Sequence, residues 1–309
     1  MNAGVAPRRV HVRAPGKLNV FFEVGAAGAD GYHDVASVYQ AVSLYEDVVA
    51  TPADGFTISV HGEVDTTGVP QDDRNLAIRA ARLVALELGH EGGVHLEVHK
   101  GVPVAGGMGG GSADAAAALV ACDALWRGGL SHARLHALAA RLGADVPFAL
   151  LGGTAVGTGR GDVLTPALAG GRFEWVLVTS DEGLSTPEVY RELDRLRATG
   201  RALAPTDEPV VDPAVLQALR AGAPAALAVA LRNDLQTAAR SLRPDLAALL
   251  ALGGSQGALG GIVSGSGPTV AFLGGGSGAA AELRELFTAS GLAAFHVHGP
   301  VPGARIVSD

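Results

Sequence analysis

From Val94 to His99 the chain alternates, with Val94, Leu96 and Val98 apolar and His95, Glu97 and His99 polar, the two-residue period of a half-buried strand. Arg8 to Arg13 repeats the pattern with Val10 and Val12 on the apolar side. The runs Leu18 to Val24, Val35 to Leu44 and Phe56 to Val60 predict further strands. Between Asn75 and Leu88 the period lengthens, and Leu76, Ala80, Leu83, Val84 and Leu88 fall on one face of a helix. Helices are also predicted over the alanine-rich stretch Ala113 to Trp126 and over Ser131 to Leu142, where Leu135, Leu138 and Leu142 line one side.

The later chain continues the mixture. Phe173 to Thr179 predicts a strand, and Thr186-Pro187-Glu188 opens a helix that runs to about Ala198, with a capping hydroxyl, an early proline and an acidic first turn. Asp212-Pro213 opens another, and Ala223 to Leu231 and Leu246 to Leu252 are apolar and helical. Strands at Val270 to Leu273 and Ala294 to Val297 flank a helix over Ala279 to Ser290. Glycine crowds Gly152 to Gly161, Ala167 to Arg172 reads as a linker, and no internal repeat is evident. Strands and helices interspersed in two halves predict an α+β protein.

At 309 residues the chain is long enough for two domains, and a crossing is expected somewhere within residues 152–171. Hydrophobic residues at 48% with charged residues at 17% exclude a disordered chain. A formal charge of −8 argues against nucleic acid or an anionic membrane as partner. Cys122 is the single cysteine, so neither a disulfide framework nor a cysteine metal cluster is possible. His132 and His136 have a zinc-compatible spacing but no acidic third ligand nearby, and read as a solvated face, as do His95 with His99 and His296 with His298. Met1 to Val12 lacks an apolar core of signal-peptide length, no apolar span of about 18 residues occurs elsewhere, and a cytoplasmic protein is expected.

The densest chemical signal is Pro103 to Ala116, where five of the six positions Gly106 to Gly111 are glycine and Ser112 follows. Glycine leaves backbone N–H groups uncovered, and a helix start adds its positive dipole end, so strand, glycines, serine cap and helix in that order suit a phosphate. A plain flexible turn is the alternative, because 44 of 309 residues are glycine, about twice the usual ~7%. Ser112 reads as the helix N-cap, or as a hydroxyl facing a phosphate or its metal. The spacing is neither that of the Walker loop nor that of a dinucleotide fingerprint, since Leu18 follows Gly16-Lys17 and Ser112 stands where a third glycine is needed. Protein-kinase signatures are absent as well.

Six segments in chain order then resemble known motifs. Ala14-Pro15-Gly16-Lys17-Leu18-Asn19, the glycine loop with Ser112-Ala113-Asp114, and Ser264-Gly265-Ser266-Gly267-Pro268-Thr269 resemble the three motifs of the small-molecule kinases of galactose, homoserine, mevalonate and phosphomevalonate, the GHMP kinases. Gly31-Tyr32-His33-Asp34, Leu142-Gly143-Ala144-Asp145-Val146-Pro147 and Asn233-Asp234-Leu235 resemble, within them, the 4-diphosphocytidyl-2-C-methyl-D-erythritol kinases of the methylerythritol phosphate route to isoprenoids.

The resemblance implies an α+β two-domain architecture of mixed or antiparallel sheets flanked by helices. An ATP domain over residues 1–165 and a substrate-contributing domain over 166–309 would enclose a cleft. It implies ATP-dependent phosphorylation of a hydroxyl of the cytidine-diphosphate-linked sugar alcohol, giving a 2-phosphate. Asp145 matches the catalytic aspartate and Lys17 its partner. Gly106, Gly107, Met108, Gly109, Gly110, Gly111 and Ser112 would hold the ATP phosphates beside Pro103, and Asn75 and Lys100 would lie near the nucleoside. Tyr32 and Tyr190 would stack on cytosine, His33 would hydrogen-bond it, and Asn19 would contact substrate. Magnesium is expected with ATP, with Ser112 the best-placed hydroxyl.

Locally, Asp145 reads equally as a turn residue, Lys17 as a surface lysine, and both tyrosines as ordinary packing. A mevalonate or homoserine kinase, or a non-catalytic nucleotide- or sugar-binding relative, is the competing reading. The first lacks a base to stack on Tyr32 and Tyr190, and the second has no use for both Lys17 and Asp145.

Overall fold

The computed structural model describes residues 9–104, 106–180 and 182–307. Two long antiparallel strands, β1 (Val10–Ala27) and β2 (His33–Ala53), begin the chain and are followed by β3 (Phe56–Gly62), α1 (Leu76–Leu88) and β4 (Gly93–Lys100). Then come α2 (Gly110–Trp126), α3 (His132–Ala140), α4 (Val146–Leu151), β5 (Thr154–Thr158) and β6 (Val163–Pro166). The later elements are β7 (Phe173–Val178), α5 (Thr186–Ala198), α6 (Pro213–Ala221), α7 (Pro224–Ala230), β8 (Arg232–Asn233), α8 (Leu235–Leu242) and α9 (Asp245–Ser255). The chain closes with β9 (Gly260–Val263), β10 (Val270–Leu273), α10 (Ser277–Ala289), β11 (Ala294–Gly299) and β12 (Arg305–Ile306).

An eight-stranded mixed sheet runs β12-β1-β2-β4-β3, with β5 and β6 continuing from β2 and β8 lying beside β1. The second sheet is antiparallel in the order β11-β7-β10-β9. One core joins α1 and α2 to the first sheet, and a second lies between the sheets around Leu18, Phe21, Met108 and Trp175. A third seals β7 and β10 under α5, α8 and α10 through Val176, Leu193, Phe272 and Phe287. The sheets are also tied by a polar bond, Trp175 Nε1 donating to Gln40 Oε1 at 2.8 Å, which satisfies the one polar atom of a fully buried indole. Helix α2 has no single apolar stripe because most of its sides are covered: Ala113, Ala115 to Ala118, Leu119 and Cys122 are fully buried.

The largest departure from the sequence pattern is at the first motif. Arg8 lies outside the described residues, and the strands expected over Arg8 to Arg13 and Leu18 to Val24 are one strand. Pro15-Gly16 is no turn but a point where the register against β2 shifts, from Pro15 opposite Tyr45 to Gly16 opposite Val42. Proline cannot donate to a ladder, so it belongs at such an irregularity. Glycine content hid β5 and β9, which lie in stretches that read as loops. The cap of α5 is Ser185 rather than Thr186, one residue early. Among the described residues no helix is long and apolar enough to cross a membrane.

After β11 the chain returns to the first sheet. Val301 is buried with Tyr39 and Phe148, its carbonyl accepts from Gly153 N at 2.7 Å, and Ala304 N donates to Ala149 O at 2.9 Å. Strand β12 then pairs with β1 at Val12 and Arg13.

Candidate active site

Past the register shift, Lys17 and Asn19 stand two apart on β1 and so share one face of the sheet. Lys17 Nζ donates to Asn19 Oδ1 at 2.7 Å, Asn19 Nδ2 donates to Ser37 Oγ at 2.8 Å, and Ser37 Oγ donates to Phe21 O. This chain fixes a lysine that is only 8% exposed, and its ammonium lies 5.7 Å from the centre of the Tyr39 ring. The surface-lysine reading of Lys17 therefore fails.

Asp145 occupies the N-cap position of α4 but does not act as a cap. Its backbone is helical (φ −84°, ψ −14°), not extended, and its side chain makes no capping hydrogen bond. The carboxylate instead stands 3.9 Å from Lys17 Nζ, at the edge of direct contact and open to a third group between them.

The glycine loop lies against this pair. Gly109, in the left-handed region at φ 74°, is the N-cap of α2, and a Cβ there would stand 3.3 Å from Lys17 Cγ. Ser112 is therefore not the N-cap; it sits in the first turn. Because glycine has no capping side chain, the first-turn amides of Gly110, Gly111 and Ser112 have no cap of their own. Met108 pins the loop, with its side chain 1% exposed in the inter-sheet core and its carbonyl accepting from Lys17 N at 2.9 Å. Above the loop lies the turn Ser264 to Thr269. A Cβ on Gly107 would meet Ser264 O at 2.7 Å, and Asn233 Nδ2 holds that turn by donating to Val263 O and Gly265 O, both at 2.7 Å.

Three cavities adjoin. A reaction cavity of about 320 Å³ is lined by Lys17, Asn19, Ser112 and Asp145, with Gly265 and Ser266 opposite. A second, of about 360 Å³, is lined by Asn75, Lys100, Pro103 and Gly106 to Gly111, and it shares Gly107 and Gly109 with the first. The third, of about 340 Å³, contains Tyr32, His33, Tyr190 and Asp194.

In the second cavity Asn75 already has two tasks, capping α1 through Ala77 N at 2.8 Å and donating to Pro70 O at 2.7 Å. Lys100 is 2% exposed and held by two carboxyl groups, Asp114 Oδ2 at 2.6 Å and Glu46 Oε1 at 2.7 Å. The Asp114 contact is the well-aligned hydrogen bond, and Glu46 Oε1 approaches off-axis. Burial, reinforced by the Asp114 carboxylate, pushes Glu46 up to about 9, and burial also raises Asp114. Burial opposes the Lys100 charge, but the two acids outweigh it and hold the ammonium above its usual range. Two acids around one ammonium thus keep a proton at neutral pH.

In the third cavity Tyr32 is 60% exposed with the Arg160 guanidinium 4.0 Å from its ring centre. Tyr190 is half-buried, and its ring centre lies 5.1 Å from that of His33. It also packs on the core with Leu193, so the packing and lining roles coexist. Burial and the Asp145 carboxylate push the Tyr190 phenol up, keeping it neutral. His33 Nε2 lies 2.9 Å from Asp194 Oδ1. An ionised carboxylate only accepts, so Nε2 carries the hydrogen and Nδ1 of the neutral ring is left as an acceptor.

Sequence reasoning missed Asp194 and Arg160. The first was legible, since it is four residues after Tyr190 on a predicted helix and so shares its face. The second stands between two glycines at positive φ, Gly159 and Gly161, a tight hairpin end that composition alone disguised. Among the described residues no group of three or more histidine, cysteine or acidic side chains is arranged to hold a metal.

Two sequence profiles match the chain, the GHMP kinases N terminal domain over residues 75–153 and the GHMP kinases C terminal over 215–291. A 4-diphosphocytidyl-2-C-methyl-D-erythritol kinase of Leifsonia xyli is 58% identical over 97% of this chain and 99% of its own length. The crystal structure of a 4-(cytidine 5'-diphospho)-2C-methyl-D-erythritol kinase superposes with a TM-score of 0.76 at 32% identity, covering 93% of this chain and 98% of that one. A homoserine kinase from Cytophaga hutchinsonii superposes with the same TM-score, 0.76, at 17% identity, over 99% of this chain and 100% of its own, which shows a shared fold alone.

Proposed function

The chain belongs to the GHMP kinases, and within them to the 4-diphosphocytidyl-2-C-methyl-D-erythritol kinases, and on that premise we propose how its own residues perform the reaction. The protein is an ATP-dependent kinase that phosphorylates a hydroxyl of 4-diphosphocytidyl-2-C-methyl-D-erythritol on the methylerythritol phosphate route to isoprenoid precursors. The observation that carries the residue assignment is Asp145. Its carboxylate is uncapped, 3.9 Å from Lys17 Nζ, and lies in a cavity that adjoins the glycine loop on one side and an aromatic cavity on the other.

Asp145 accepts the proton of the substrate hydroxyl as that oxygen attacks the terminal phosphorus of ATP. Lys17, held by Asn19, orients the Asp145 carboxylate and offsets charge on the transferring phosphoryl oxygens. The first-turn amides of α2 and the loop Gly106 to Gly111 receive the triphosphate, and the nucleoside occupies the cavity of Asn75, Lys100 and Pro103. A magnesium ion carried in on the phosphates fits the hydroxyl of Ser112, a hard oxygen donor lining the same cavity, and would neutralise phosphate charge there. Cytosine lies between Tyr32 and Tyr190. His33, through Nδ1, accepts from its exocyclic amine, with Asp194 fixing the tautomer.

The lobes divide near residue 166, with the tail from residue 300 rejoining the first. A coupled ADP-release assay with the cytidine substrate, mevalonate and homoserine tests the reading: turnover is expected with the first alone, and turnover with only mevalonate or homoserine overturns it.

A further inference from the structure

The reaction cavity and the aromatic cavity have three residues in common, Arg160, Thr186 and Tyr190, and Arg160 is the cation that lines both. A substrate whose base sits in one cavity and whose reacting hydroxyl sits in the other must thread its diphosphate through that neck. Asp145 and Lys17 line the reaction cavity, Asp194 and Arg191 line the aromatic one, and Arg160 is the one of these charged groups that lines both, so it is the cation placed to meet a doubly charged linker at the neck.

Arg160 is held for that task before substrate arrives. It sits at the tip of the β5–β6 hairpin, where Gly161 packs so closely that a Cβ would lie 2.4 Å from Tyr39 Oη. Its guanidinium covers one face of Tyr32, and Nη2 donates to Asp30 Oδ2 at 2.5 Å. Asp30 Oδ1 in turn accepts from Tyr32 N at 3.0 Å, locking arginine, turn and ring into one unit. With its carbon over the Tyr32 ring the guanidinium keeps five N–H groups, and one of them is used by Asp30. The remaining edge matches the paired oxygens of a phosphate.

We infer that Arg160 is a substrate-binding residue that grips the diphosphate at the neck between the two cavities, so that the enzyme distinguishes a cytidine diphosphate from bare cytidine. This rests on the placement of cytosine beside Tyr32 and His33. The test is competitive inhibition by cytidine, CMP and CDP against the cytidine substrate, in the wild type, Arg160→Met and Arg160→Lys. The wild type is expected to prefer CDP to cytidine. Arg160→Met is expected to shrink that preference roughly tenfold or more while leaving cytidine inhibition and the KM for ATP in place, and Arg160→Lys to restore part of it. An unchanged CDP-to-cytidine ratio in Arg160→Met overturns the inference alone. An equal loss for all three ligands also overturns it, because Arg160 would then serve only to support Tyr32. If none of the three competes in the wild type, the base-cavity placement falls and the inference falls with it.

Discussion

Asp145 shows how one backbone angle frees a side chain from capping. An aspartate at a helix start ordinarily turns back to cap the first amides, and that needs an extended backbone. Asp145 has a helical one, so its carboxylate projects to Lys17 instead. Replacing it by asparagine keeps size and shape but removes the proton acceptor. Asp145→Asn is expected to lower kcat on the order of 10²-fold or more with the KM for ATP near that of the wild type; steady-state kinetics check this, and near-normal turnover would remove Asp145 from its role. Identity at this position was legible from the motif alone, but its freedom was not. Leu142 to Pro147 reads as a turn whichever way the carboxylate points, and only the dihedral angles separate a capping aspartate from one whose carboxylate is free.

At the scale of the element, the junction of the glycine loop with α2 is where sequence and structure meet most closely. The order of strand, glycines and helix was visible in the chain. The cap was not, because a serine is a good N-cap by type, whereas the chain needs a left-handed residue three positions earlier to bring Lys17 and the loop together. Likewise β1 read as two strands, since Pro15 and Gly16 are turn residues by composition and only cross-strand pairing shows that the ladder continues past them. Gly109→Ala forces a Cβ into the left-handed region at a cost of roughly 1–2 kcal/mol and against Lys17 Cγ at 3.3 Å. It is expected to lower stability by about that amount in chemical denaturation and to depress kcat/KM for ATP by more than the loss of folded protein explains. A fully active variant would show that Lys17 and the loop need no such fit.

Across the whole molecule, the last described residues serve the first sheet and α4. Val301, Gly303 and Ala304 clasp α4 through Phe148, Leu150 and Ala149, and α4 begins at Asp145. Ending the chain after Gly299 is therefore expected to lower the thermal midpoint and reduce kcat, while binding of a fluorescent ATP analogue survives. Equal loss of nucleotide binding would show that the tail supports the lobe in general rather than α4. This long-range closure had no signature in the sequence, because β12 is two residues long and carries no periodicity. It also bears on biosynthesis. A ribosome releases these residues after every other element of the two sheets, so a nascent chain that has already shaped its glycine loop still lacks the clasp behind Asp145. Turnover would thus switch on only once residues 300–307 have emerged, and a chain cut short before them would be a nucleotide binder with little turnover.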